Sequence, residues 1–350
     1  MSSRKNHHYV PQFYFRYFSK DGRSICALTV STGKTVSKAP IKSQASKSWF
    51  YGNDQIEAAL GEIEGACSAS LRALQIVPDP TQMTGNDIDQ ILIWLALQRS
   101  RTRAARDSGE PMRNKLAELL SQIASNGGHD RTDVAGDHAE LSPAAIDYDV
   151  IDAQVLEMDV AMESAQILRD LVPVLLINKT NRPFIFSDAP VVFYNAHYRD
   201  VKYRGVLGYD TPGLLVLFPL CADRSLLLLD PAVYRMRGMK RNTITIRSSR
   251  DVISMNKLQL HSASSCVYFH DGSFSGYVAE LWRQEQNRIK PSVAKVVETP
   301  GFDHDGNPIG DVVHSFQAHL NYRLALTFLE HQTLDDRQYR FSRRGDRYVR

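Results

Sequence analysis

"VPVLLINKTNRPFIFSDAPVVFYN" runs from Val172 to Asn195. Short apolar runs rich in β-branched and aromatic residues alternate with "NKTNR" and "SDAP", where Asn, Asp and Pro favour turns. That is the pattern of strands joined by turns. The runs continue downstream with "GLLVLFPL" from Gly213, "SLLLLD" from Ser225 and "NTITIRS" from Asn242. A helix is expected from about Ser249 to Ala263, then the strand "SCVYFH", then a helix from about Ser275 to Ile289. Upstream of Val172 the apolar residues recur mostly at helical spacing instead. The expected fold class is α+β, with a helical N-terminal half packed on a mixed, mainly antiparallel, strand-rich C-terminal half.

In the upstream half, "SICALTVSTGKTVSKAP" alternates around a turn supplied by Gly33 and reads as a β-hairpin. Ile56, Leu60, Ile63, Cys67, Leu71 and Leu74 fall on one stripe of a helix from Asp54 to Leu74. "PDP" stops the chain. Thr84, with Asp87 three residues on, caps a second helix expected to run to about Arg106. A third helix follows Pro111. Ser142-Pro143 starts a long helix to about Leu171. One stripe of it holds Ile146, Val150, Ala153, Val160, Ile167 and Leu171; the opposite stripe holds Ile151, Val155, Met158 and Met162. The expected organisation is 1–124, a flexible linker at 125–141 without periodicity, 142–290, and a weakly patterned extension at 291–350 with a basic tail.

Of the 350 residues, 43% are hydrophobic and 23% charged, which is ordinary globular composition. A net charge of +3 is too mild to demand nucleic acid, so any such partner rests on local clusters. None of Cys26, Cys67, Cys221 and Cys266 stands in C-x-x-C spacing, which excludes zinc ribbons and thioredoxin-like chemistry. Scattered cysteines fit a reducing, cytoplasmic setting. The first residues carry no apolar core or cleavage site, so no secretory signal is expected. No apolar run approaches the roughly 20 residues of a membrane span.

"RKNHHYVPQFYFRYF" sets His7 and His8 before a proline and six aromatic rings counted from Tyr9 to Phe18. Such a segment is costly to leave in water. The two histidines face opposite sides of an extended chain. One is expected to face inward, either as a core imidazole or as an acid–base group.

Polar residues also point inward on three helices. On the second helix the stripe Ile88, Leu92, Leu95 continues into Arg99, with Gln98 at its flank. Glu57 and Glu64 share the border of the first helix's stripe, and Glu157 sits on that of the long helix. A buried arginine needs a carboxylate, a phosphate or carbonyls around it. The expected result is a polar cluster, either a structural ion pair that fixes helix register or the wall of a site. In "PFIFSDAPVVF", Asp188 ends a strand, where it either caps a turn or presents a carboxylate. "GFDHDGNPIGD" lacks the closing glutamate of a calcium loop and reads as a β-turn. Arg99 to Lys115, "YRMRGMKRNTITIRSSR" and the C-terminal tail are basic. They read as solvated faces or as tracks for a phosphate backbone.

"HYVPQFYFRYF" resembles the H-x-V-P-x-x-x-L-x-x-F signature of a bacterial domain-of-unknown-function family, DUF4238. His8, Val10, Pro11 and Phe18 match, and Phe15 replaces the leucine. "FYGNDQIEAALGEIEG", "LALQRSRTR", "PFIFSDAPVV", "FPLCADRSLLLL" and "DVISMNKLQLHSASSCVYF" extend the resemblance in order. It implies an accessory bacterial protein of the nuclease or phage-defence kind. With the residues themselves, the expected function is phosphodiester hydrolysis. His8 would be acid or base, Arg99 with Gln98 the phosphate holder, and Glu57, Glu64 and Asp188 acid–base groups or ligands of a divalent metal such as Mg²⁺ or Mn²⁺. The alternative is a non-enzymatic module binding nucleic acid or protein, the same residues forming a structural network.

Overall fold

The computed structural model describes residues 5–126, 150–201, 205–317, 319–332 and 344. The chain opens with β1 (Asn6–His8) and the short α1 (Gln12–Arg16), then the hairpin β2 (Ser24–Thr29) and β3 (Thr35–Pro40), and β4 (Ser46–Ser48), which pairs with β1. Gly33 turns the hairpin at φ 69°, and the Trp282 ring lies so close that a Cβ there would overlap it. Helices α2 (Asp54–Ile76), α3 (Gly85–Ser100), α4 (Arg103–Ser108), α5 (Glu110–Asn126) and α6 (Val150–Ser164) complete the helical half. Thr84 and Asp87 form the expected reciprocal capping box on α3.

A mixed sheet follows. It is built from β5 (Val172–Asn178), β7 (Val192–Asn195), β8 (Leu214–Cys221), β9 (Arg224–Leu229) and β11 (Thr243–Ile246), in the order β11-β5-β9-β8-β7, while β6 (Phe186–Ser187) and β10 (Tyr234–Met236) pair elsewhere. Only β11 and β5 are parallel within this sheet among the described residues. Then come α7 (Ser249–Ser262), β12 (Cys266–Phe269), α8 (Ser275–Glu285), β13 (Ala294–Phe302), β14 (Pro308–Gln317) and β15 (Leu329–His331). β12 completes a second antiparallel sheet, β3-β2-β12-β6. The fold is α+β, helical first and strand-rich second.

The apolar runs are nearly continuous because the mixed sheet is covered on both faces. Leu226 and Leu228 of β9 join the core shared with α2, α3 and the aromatic opening. Leu227 and Leu229, one residue out of phase, join a second core with α7. In the first core Phe186 is the hub: Tyr14, Phe15, Phe18 and Tyr268 place ring centroids 4.5–5.2 Å from it. The aromatic opening is therefore part of the core, inserted between the two halves.

Two expectations need correction. In the described part of the long helix, the core face is Gln154, Met158 and Ala161, continued by Ala165 and Leu168 of a 3₁₀ turn. Val150, Val160 and Ile167 are exposed, so the stripe that contained them does not face the core. The extension thought weakly patterned holds the β13–β14 hairpin, whose strands are mostly exposed and show no alternation to read. Its loop is the expected turn, with Asp303 accepting from the Asp305 and Asn307 N–H groups. Residues 125 and 126 of the expected linker end α5; the rest of it lies outside the described residues.

Phe15→Ala should cost about 3–5 kcal/mol, the usual scale for a fully buried phenylalanine. Denaturant unfolding measures it, and a loss below about 1 kcal/mol would place the opening segment outside the cooperative core.

Candidate functional site

The site is shaped by a break in a helix. α3 ends at Ser100, and Thr102 leaves helical geometry at φ −77°, ψ 162°. The Thr102 hydroxyl accepts the Ala105 N–H and starts α4. The stripe expected to run on to Arg106 is thus interrupted, and Arg99 and Arg101 part company.

Arg101 is fully buried. Its guanidinium donates to Glu64 Oε1 at 2.7 Å, the His8 carbonyl at 2.7 Å and the Tyr51 hydroxyl at 3.1 Å. The Tyr51 hydroxyl in turn donates to the Arg101 carbonyl. The arginine paired with Glu64 is Arg101, not Arg99; of the glutamates expected beside Arg99, it is Glu157 that shares its surroundings. Gln98, also fully buried, donates to the Tyr9 carbonyl. Both side chains clamp the backbone of the opening segment.

The histidines face opposite sides, as expected, and the acid–base role given to His8 falls on the one whose ring lies outside the core. His7 is the buried one, stacked on Tyr51 with Nδ1 accepting the Tyr51 N–H at 3.1 Å. The neutral ring then carries its proton on Nε2, which faces Asp54 Oδ1 at 3.8 Å. The His8 ring points to the Lys42 carbonyl, 3.1 Å from Nε2. Burial lowers the His8 pKa, with the Arg101 and His7 charges adding to the fall. The His8 backbone N–H bonds Glu57, whose pKa burial raises. What approaches the glutamates is therefore the His8 main chain and not its imidazole.

Asp188 is fully buried and accepts the Ser264 and Ser265 N–H groups at 2.9 and 2.8 Å, fixing the turn before β12. Burial lifts its pKa to about 6 against the pull of these donors. It is a turn cap. Among the described residues no three His, Cys, Asp or Glu side chains stand together as a metal would require. Glu57, Glu64 and Asp188 do not form one ligand set.

Arg99 leads to the cleft. This cavity of about 940 Å³ lies between the α3–α4 break, α6, β7 with the loop that follows it, and the β13–β14 hairpin. The Arg99 guanidinium sits 4.1 Å over the Phe193 ring and donates to Gln317. Glu157 lines the same cleft with its side chain exposed. Desolvation by the surrounding protein raises its pKa, opposed by the Arg99 and Arg113 charges. Tyr209 stands near both; burial raises its pKa, opposed by Arg99 and reinforced by Glu157. Asp200 and Asp210 add two carboxylates to the lining.

Of the six residues expected to form the site, Arg99 alone lines the cleft. Glu157 was visible in sequence as a polar residue on an apolar stripe. Tyr209, Asp200, Asp210 and Gln317 carried no signal, because they lie in a loop and in an exposed hairpin. The basic run is engaged within the protein. Arg103 pairs with Asp107, Arg106 bonds Gln154 and the Phe50 carbonyl, Arg113 bonds the Arg106 carbonyl, and Lys115 pairs with Glu298 at 2.7 Å.

Arg101→Met should destabilise the fold by about 3–5 kcal/mol, since it leaves the His8 carbonyl, Tyr51 and Glu64 without their donor. Arg99→Ala should cost less than about 1 kcal/mol, because its partners can turn to water in the open cleft. Parallel denaturant titrations would read the contrast, and equal losses would contradict the split.

A sequence profile described as "Protein of unknown function (DUF4238)" matches residues 6–273. No curated protein and no solved structure matches the chain. The chain belongs to the DUF4238 family.

Proposed function

We propose that this DUF4238 member is a phosphodiester hydrolase that works in the cleft on a small, nucleotide-sized phosphoester. The observation that carries the reading is the meeting of Arg99 with Glu157, a carboxyl of raised pKa, in one open cavity. Arg99 would hold the non-bridging phosphate oxygens, kept in place by Phe193. Glu157, protonated, would give its proton to the leaving oxygen as water adds to phosphorus and the P–O bond breaks. The water's surplus proton leaves through the open side of the cleft.

Size and charge favour a small substrate. Ligand pockets of roughly 300–1,000 Å³ hold nucleotide-sized molecules. One guanidinium against three carboxylates suits one or two phosphates and repels a long polyanion. Arg101, Arg106, Arg113 and Lys115 are engaged by acceptors of the protein and Arg103 sits in an exposed pair with Asp107, so the run beyond Arg99 makes a poor phosphate track. Val191, Phe193 and Leu320 supply apolar surface for a base or another ring. A second reading is favoured by the sealed Arg101 network: a non-enzymatic module whose cleft binds the same ligand without turnover. No helix among the described residues is long and apolar enough to cross a membrane.

Full-length protein assayed with bis(4-nitrophenyl) phosphate and a dinucleotide, with and without Mg²⁺ or Mn²⁺, tests the reading. Glu157→Gln should lower the rate on the order of 100-fold, and Arg99→Ala by at least as much. With Glu157 as the acid, the reactive form is the protonated one. Its raised pKa carries activity to higher pH than an ordinary glutamate would, and the rate should fall as pH rises through that value. Glu157→Gln should erase this limb of the profile. Binding without turnover under every condition supports the module; neither binding nor turnover removes the cleft from function.

A further inference from the structure

One wall of the cleft comes from outside the family match. The floor residues Arg99, Glu157 and Phe193 lie within residues 6–273, whereas Ser292, Ser315, Phe316 and Gln317 belong to the hairpin region beyond it. The hairpin is held in place at two points. Glu298 of β13 pairs with Lys115 of α5 at 2.7 Å. Phe316 of β14 packs on Gly205 so closely that a Cβ at Gly205 would lie 3.0 Å from the Phe316 Cβ. The wall is fixed between α5 and the loop after β7, and its last residue reaches the charged centre of the cleft.

That residue is Gln317. Its Oε1 accepts a hydrogen bond from Arg99 Nη2, and its Nε2 lies 3.4 Å from Ser292 Oγ. A neutral carbonyl oxygen thus sits on the guanidinium where an anion's oxygen would bind. Resting on the cleft as the ligand site proposed above, we infer that Gln317 is a specificity-determining residue for the phosphate group held at Arg99. The entering phosphate has to displace the Gln317 oxygen from the guanidinium, so the amide acts as a competitor that only a well-fitting phosphoester replaces. The family-matched floor supplies the anion anchor, and the extension decides which phosphoester fits over it. A glutamate at this position would occupy Arg99 permanently with a charge-assisted pair and repel the incoming anion. An alanine would uncover the guanidinium and widen the cleft beside it.

Binding of phenyl phosphate and of bis(4-nitrophenyl) phosphate to the full chain, measured by isothermal titration calorimetry, tests the assignment. Gln317→Glu should weaken phenyl phosphate at least about tenfold, a change of about 1.4 kcal/mol. Gln317→Ala should tighten it about threefold or more, and should shift preference toward the bulkier diester. Arg99→Ala should abolish binding of both, and melting curves confirm that each variant folds. If the wild type binds, Arg99→Ala does not, and the two Gln317 variants move affinity together or leave it unchanged, the specificity role is overturned while the cleft stands. If the wild type binds neither probe, or Arg99→Ala binds as well as the wild type, the anion site itself is overturned and the role of Gln317 with it.

Discussion

The buried guanidinium of Arg101 is the constraint on which the helical half depends. A guanidinium cannot discard its charge on burial, so the fold must surround it with acceptors. It does so with three groups distant in sequence: Glu64 on α2, the Tyr51 hydroxyl and the His8 carbonyl. Each acceptor fixes one element relative to the α3–α4 break. The His8 contact, with Gln98 on the Tyr9 carbonyl, pins the opening segment at the point where its rings enter the core. A segment that would otherwise expose six aromatic side chains becomes the packing between helices and sheet.

The same break makes neighbouring residues serve opposite ends. α3 is buried on nearly every side, from Trp94 to Gln98, so facing inward does not single out one direction. At its end Arg101 turns toward α2 and is sealed, while Arg99 turns toward β7 and is open. The histidines repeat the division, His7 stacked in the core and His8 bonded at its edge by its ring to the Lys42 carbonyl. Sealed groups hold the molecule together through acceptors already in place. Open groups face a solvent-filled cleft, and this separates Arg99 from the other residues that the spacing brought forward.

Much of the architecture was legible in sequence because it follows from local chemistry. The hairpin around Gly33, the stripe of α2, the capping box at Thr84 and the strand runs after Val172 each carry a short-range signal. The choice between Arg99 and Arg101 was not legible. An uninterrupted 100° rotation puts Arg99 on the core stripe, and only the Thr102 cap reveals that the helix stops first. His7 and His8 were separable as a pair facing opposite ways, but which faced inward depends on Tyr51, 44 residues away. The exposed stripe of α6 and the β13–β14 hairpin show the other limit. Apolar spacing marks a face without naming its neighbour, and strands exposed on both sides leave no alternation.

The electrostatics of the cleft tie these features together. Two unit charges about 4 Å apart interact by about 4 kcal/mol at the effective dielectric of a protein surface, so each cleft carboxylate near Arg99 competes with an incoming anion. Glu157 relieves part of that competition by holding its proton to higher pH. Gln317 relieves another part, since a neutral amide covers the guanidinium without neutralising it. Phe193 contributes a third, because the ring face stabilises the cation yet offers no competing charge. Arg99 is thus covered directly by a neutral amide and a ring face, with carboxylates elsewhere in the cleft lining, whereas Arg101 is held by Glu64 in a closed pair.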